Sequence, residues 1–143
     1  MLNMTKSVRM FTLALATLFI SAGSFAGIAP DNNKVAEKAR QAVEDAAPDD
    51  WYTYAYSAER CIRKKVNLKE AKAWLTRSLE IKEAPYNLAV MGDYYYSNNL
   101  PEQALEFYVK SLRVGLEEDI NYQDPVTHEK MMKVRKSLLK SSS

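Results

Sequence analysis

The sequence predicts an all-α domain built from stacked antiparallel helical hairpins, and three observations carry that expectation. First, one pattern occurs twice. Asn67-Leu68-Lys69-Glu70-Ala71 leads into Trp74 and Ser78-Leu79, and Asn99-Leu100-Pro101-Glu102-Gln103-Ala104 leads into Phe107 and Ser111-Leu112. The copies are 32 residues apart at the Asn-Leu pairs and 33 apart from Ala71 to Ala104, an interval that marks stacked supersecondary units. Second, the connections near Val66-Asn67 and Asn98-Asn99 are short, which makes neighbouring helices antiparallel. Third, no strand pattern competes. The aromatic alternation from Trp51 to Tyr56 flows into Ser57-Ala58-Glu59-Arg60 without a turn, and Tyr94-Tyr95-Tyr96 is read as helix in the same way.

Residues 1–26 are set aside from the fold. Lys6 and Arg9 precede an apolar run from Phe11 to Ala22, and Ser24-Phe25-Ala26 follows. This is the pattern of a secretory signal peptide cleaved after Ala26. The run is shorter than the roughly 20 residues that span a bilayer, so no stable membrane insertion is expected after cleavage. The product is then periplasmic or secreted. A single helical repeat domain, residues 27–143, is the expected remainder.

A first helix is predicted over about Asn33 to Ala46, with a thin stripe of Val35, Ala39 and Ala42 or Val43, ended by Pro48. A second begins after Asp49-Asp50, where an aspartate accepts from the orphan amides of the first turn, and continues to about Lys65. A third starts near Leu68, with Asn67 as its cap, and ends around Ile81 before Pro85. A fourth runs from Pro85 or Tyr86 to Ser97, since proline suits a first turn. A fifth runs from Pro101 to about Val114 with Gly115 as terminator. A sixth spans about Pro125 to Lys140 with Asp124 as its cap. The hairpins therefore cover about 51–81 and 85–115.

These residues resemble the tetratricopeptide repeat family. The family alternates large and small side chains along each hairpin, and in the second copy its pattern falls on Leu88, Gly92, Tyr95, Ala104, Tyr108 and Ser111, with Met91 where leucine is usual. A glycine at position 92 lets the facing helix approach, against a loss of roughly 1 kcal/mol in helix propensity. The first copy matches at Ala71, Leu75 and Ser78. Its first helix has two registers, Ala55/Ala58/Glu59/Ile62 or Tyr54/Ser57/Ala58/Cys61. The second is preferred and needs one extra residue in the turn around Val66-Asn67. The resemblance covers about Trp51 to Leu116 and implies a partner-binding stack whose first helices line a concave face. Flanking helices act as caps.

Composition narrows the chemistry. The chain has 20 Lys and Arg against 18 Asp and Glu; loss of Lys6 and Arg9 with the signal leaves 18 of each, so the precursor's basic balance is no argument for nucleic acid. Cys61 is the one cysteine, which rules out an intramolecular disulfide, and its apolar-periodic setting reads as a buried thiol. His128 stands alone and completes no metal site. The acidic run from Glu117 to Asp124 lacks calcium-loop spacing and reads as a solvated loop. No nucleophile motif or glycine-rich phosphate loop is present. No enzyme activity, cofactor or metal is expected.

Tyrosine is the unusual component, nine in all. Tyr52, Tyr54 and Tyr56 lie in one hairpin and Tyr94, Tyr95 and Tyr96 in the other. Three consecutive helical residues cannot all enter one core, so Tyr94 and Tyr96 are expected to reach the surface or a neighbouring repeat. The candidate partner-binding residues are Tyr52, Tyr56, Arg60, Arg63, Lys64, Asn87, Tyr94 and Tyr96. Arginines and Lys64 would supply charge for an acidic segment, and tyrosines large contact area at low entropic cost. The sequence thus points to a non-catalytic protein-interaction module or adaptor of a bacterial envelope, whose partner is another envelope protein or an extended peptide. Its alternatives are a self-associating structural subunit, including a homodimer, and an accessory glycan-binding component of a cell-envelope machine.

Overall fold

The computed structural model describes residues 30–141; the expected signal peptide lies outside them. Six helices follow one another: α1 (Pro30–Glu44), α2 (Trp51–Lys64), α3 (Leu68–Ile81), α4 (Pro85–Ser97), α5 (Pro101–Glu118) and α6 (Pro125–Ser141). The fold is all-α. α2 pairs with α3 and α4 with α5 as antiparallel hairpins; α4 also rests on α2 and α3, while α1 covers α2 and α6 covers α5. No described helix is long and apolar enough to cross a membrane.

The two hairpins correspond position by position in their helix starts and loop closures once a single insertion is recognised. α2 starts at Trp51 and α4 at Pro85, 34 positions on. Each first helix ends in a left-handed residue, Lys65 at φ 54° and Asn99 at φ 58°, again 34 apart. The following amides close the same loop: Val66 N–H donates to the Cys61 carbonyl and Leu100 N–H to the Tyr95 carbonyl, both at 3.0 Å. These are Schellman closures, which satisfy carbonyls orphaned at a helix end. The second helices then start at Leu68 and Pro101, only 33 apart. Asn67, at φ 51°, is the extra residue. This geometry selects the register that places Ala58 opposite Gly92 and Cys61 opposite Tyr95.

A hydroxyl bolts each hairpin shut. Ser78 Oγ donates to the Trp51 carbonyl and Ser111 Oγ to the Pro85 carbonyl, both at 2.7 Å. Both serines are buried, as are Leu88, Gly92, Ala104 and Tyr108. Most of the principal core is small or medium-sized: Ala39, Ala55, Ala58, Cys61, Ile62, Ala71, Leu75, Val90 and Met91. Small residues let helix axes come close. Ala104, Tyr108 and Val134 form a second cluster under α6. Cys61 is fully enclosed, and burial raises its thiol pKa, which withholds the reactive thiolate.

Helix ends depart from the sequence reading in three places. α1 begins at Pro30, ahead of Asn33, and stops at Glu44. Asn67 does not cap α3: its left-handed backbone departs from the extended conformation typical of a capping residue, and its side-chain amide donates to Glu70 instead. Gly115 does not terminate α5, which runs to Glu118. A Cβ at Gly115 would overlap the Tyr122 ring, so this glycine admits the returning chain, with no positive φ involved. The expected aspartate caps do form: Asp50 accepts from Thr53 N–H at 3.0 Å and Asp124 from Thr127 N–H at 2.9 Å.

Gly92 has a steric reason of its own. A Cβ there would lie 2.5 Å from Tyr108 Cε1. Tyr108 corresponds to Leu75 in the first hairpin, where the smaller side chain coexists with Ala58. Gly92→Ala is expected to destabilise by about 1–2 kcal/mol despite its better helix propensity. In a Tyr108→Leu background the same change should cost less, a non-additivity that a denaturation-based double-mutant cycle reads directly.

Candidate functional site: a groove across the first helices

The first helix of each hairpin, together with α6, lines an open groove of about 540 Å³. Trp51 and Glu59 come from α2, Tyr86, Ala89, Val90 and Asp93 from α4, and Val126, Thr127 and Lys130 from α6. Tyr122 and Asp124 close it from the α5–α6 connection. Positions 34 apart on α2 and α4 repeat the same chemistry. Tyr52 matches Tyr86, and their rings lie 5.2 Å apart. Glu59 matches Asp93. Tyr52 also stacks on Tyr56 at 6.0 Å with the planes 10° apart, so the three rings form a continuous aromatic edge.

The wall is held by hydrogen bonds between side chains of different helices. Tyr86 Oη donates to Glu59 Oε2 at 2.8 Å. Burial, reinforced by Glu59, pushes the Tyr86 phenol far above its usual range, so it stays a donor. Asp93 accepts from Tyr108 Oη and from Lys130 Nζ, each at 2.7 Å, which ties α4 to α5 and α6 through one carboxylate. Burial likewise raises the Tyr108 phenol, with Asp93 adding to the effect. Lys82 Nζ sits 5.4 Å from the Trp51 ring centroid. Among the described residues, no three His, Cys, Asp or Glu side chains are grouped to hold a metal ion.

The predicted partner-binding residues other than Asn87 fall in four places. Tyr52, 50% exposed, borders the groove through its contact with Tyr86, and Tyr56, 45% exposed, stacks on Tyr52 and faces the depression beside α1, with Arg60 Cζ 6.0 Å from its ring centroid. Arg60, Arg63 and Lys64 line a separate depression of about 360 Å³ with Val35 and Tyr56, against α1. Tyr94 is half-buried at the α3–α4 seam, where Lys72 Nζ is 4.9 Å from its ring centroid. Tyr96 is 43% exposed, and Lys133 of α6 is 5.9 Å from its ring centroid.

Asn87 is a correction. It is fully buried and its amide is saturated: Nδ2 donates to Ser78 Oγ at 2.8 Å and to the Lys82 carbonyl at 2.7 Å, and Oδ1 accepts from Ala84 N–H at 2.9 Å. It has no free group for a peptide. Ala84 has no side chain that can cap α4, so Asn87 does half of that work from inside the helix and also pins α4 to α3.

The sequence reading missed Glu59, Tyr86, Asp93 and Lys130. Glu59 and Asp93 were legible as a repeated acidic position 34 residues apart, but only once the register was known. Lys130 had no such signal, because α6 stands outside the 34-residue spacing. Comparison with protein-family models finds no match, and neither curated proteins nor solved structures match the chain.

Asn87→Ala would leave the buried Ala84 N–H without its acceptor and take away the donor to Ser78 Oγ and to the Lys82 carbonyl. A loss of about 3 kcal/mol is expected, visible as a lower denaturation midpoint. The aspartate caps make stability depend on pH. The Asp124 carboxyl experiences burial that raises its pKa, but hydrogen bonds from Thr127 and Tyr122 hold it below the usual aspartate range; the Asp50 carboxyl is lowered chiefly by Thr53. A depressed carboxyl binds its proton more weakly folded than unfolded, so its contribution is complete above the ordinary aspartate range. It is lost as pH falls through the folded value. The melting temperature should therefore drop on acidification through that window, and less steeply in Asp124→Asn than in the native chain.

Proposed function

We propose that the chain is an exported, non-catalytic binding module of tetratricopeptide type, and that it holds an extended segment of another envelope protein in the groove formed by α2, α4 and α6. The observation that carries this reading is the groove itself. It is open, rigidly walled by cross-helix hydrogen bonds, and edged by tyrosines that present area at low entropic cost. Adaptor activity fits side chains that are held in place yet engaged in no proton-transfer or nucleophilic arrangement. The signal-like residues 1–26 are what supports an envelope location.

The groove width suits a chain segment. α2 and α4 pack on each other, about 8–10 Å between axes, and α6, packed on α5, faces them across the groove; the open face between the walls admits a few extended residues at about 3.3 Å each. A photo-crosslinking residue placed at Tyr52, at the groove edge, should yield an adduct with one envelope protein in living cells. The same group at Thr76, exposed on α3, should not. Equal labelling from both positions, or none from Tyr52, would remove the groove from the proposal.

A further inference from the structure

We infer that the groove selects a cationic extended segment, one that delivers a lysine or arginine side chain to Glu59 between the Tyr52 and Tyr86 rings. This rests on the binding-module reading above and adds the charge of the partner.

Glu59 is half-buried in the groove wall. One of its oxygens takes the Tyr86 hydroxyl at 2.8 Å; among the described residues no cation forms an ion pair with it. The groove carries four carboxylates, Glu59, Asp93, Glu118 and Asp124, against two ammonium groups, Lys82 and Lys130. Lys130 is committed to Asp93 at 2.7 Å, which leaves Glu59, Glu118 and Asp124 uncompensated by it. Lys82 lies over the Trp51 ring, next to Tyr52, and forms no ion pair with Glu59. A surplus of two negative charges therefore faces solvent between low-dielectric walls, a setting that attracts cations and speeds their encounter.

The aromatic edge points the same way independently. The Tyr52 and Tyr86 rings are 5.2 Å apart beside Glu59, and a ring face attracts ammonium and guanidinium groups. The same chemistry is already used within the chain, with Lys72 over Tyr95 at 4.2 Å. The basic cluster of Arg60, Arg63 and Lys64 lines the other depression, and its Arg60 lies 6.0 Å from the Tyr56 ring centroid at the outer end of the aromatic edge; among the described residues no cation lies over the Tyr52 or Tyr86 ring, so the part of the edge beside Glu59 is the part left open. A second copy is a poorer occupant. Its cationic stretches lie in α2, around Arg60, Arg63 and Lys64, and in α6; both are helical and anchored by buried residues, Cys61 and Ile62 in the one and Val134 in the other, so neither offers an extended strand.

The test uses the mature chain and two flexible synthetic peptides of equal length, one alternating Lys and the other Glu with Ser and Ala. Tryptophan fluorescence, read in a Trp74→Phe background so that Trp51 alone emits, reports occupancy. The lysine peptide should bind, and should weaken as ionic strength rises from about 0.01 M to about 0.15 M, where screening shortens from about 30 to about 8 Å. Glu59→Gln keeps an acceptor for the Tyr86 hydroxyl and removes the charge; it should weaken binding about threefold to fivefold. Arg63→Gln, in the other depression, should change nothing. Equal or tighter binding of the glutamate peptide overturns the inference and leaves the groove a binding site. Binding of neither peptide overturns it as well, and crosslinking from Tyr52 then decides whether the underlying reading falls too. A dimer seen by light scattering and dispersed by Glu59→Gln assigns the groove to a second copy and also overturns it.

Discussion

The buried chain of hydrogen bonds from Asn87 to Ser78 to the Trp51 carbonyl is the constraint on which the rest of the structure depends. It joins α4, α3 and α2, with the Asn87–Ser78 link buried and the Ser78–Trp51 link partly so. Such a network is costly to leave half-made, because each stranded group keeps its full desolvation penalty. Apolar packing alone tolerates sliding between helices that offer mostly alanine to one another. A saturated amide does not. By fixing where α4 begins relative to α2, Asn87 fixes the distance between Tyr52 and Tyr86, and hence the shape of the groove edge.

Much of the fold was legible because local signals agreed with one another. Aspartate before Trp51 and Pro125, proline at the start of α4, α5 and α6, and apolar residues at helical spacing all marked the same boundaries. Where the reading failed, a tertiary contact outweighed a local preference. Gly115 looked like a stop, yet its missing Cβ makes room for Tyr122 from a later segment. Asn67 looked like a cap, yet as the single inserted residue it had to adopt a left-handed turn. Asn87 looked exposed because polar residues on helices usually are. Only the neighbouring Ala84, which cannot cap its own helix, hinted that the amide was needed inside.

The site was less legible than the fold for a related reason. The tyrosine triplets drew notice as clusters in sequence, but a helix separates consecutive residues around its circumference. Tyr94, Tyr95 and Tyr96 consequently divide between the α3–α4 seam, a stack on Phe107 at 5.3 Å, and the surface near α6. The residues that do share a face are spaced by the repeat: Tyr52 with Tyr86, and Glu59 with Asp93. Isolated Tyr86 attracted no attention, although its hydroxyl holds the groove wall together.

Glu59 and Asp93 occupy equivalent positions but have been put to different uses. α5 is extended beyond Gly115 to Glu118, so α6 starts 40 residues after α4, compared with the 34 that separate α4 from α2. That delay brings Lys130 against Asp93, and Tyr108 completes the cluster from the opposite side. Asp93 thereby becomes the clasp that holds the last helix on the stack, with its charge neutralised. On α2 there is no counterpart: α1 lies on the other side, and Arg40 of that helix pairs with Glu70 of α3. The first repeat keeps an uncompensated carboxylate in the groove because the second repeat has used the equivalent one for assembly.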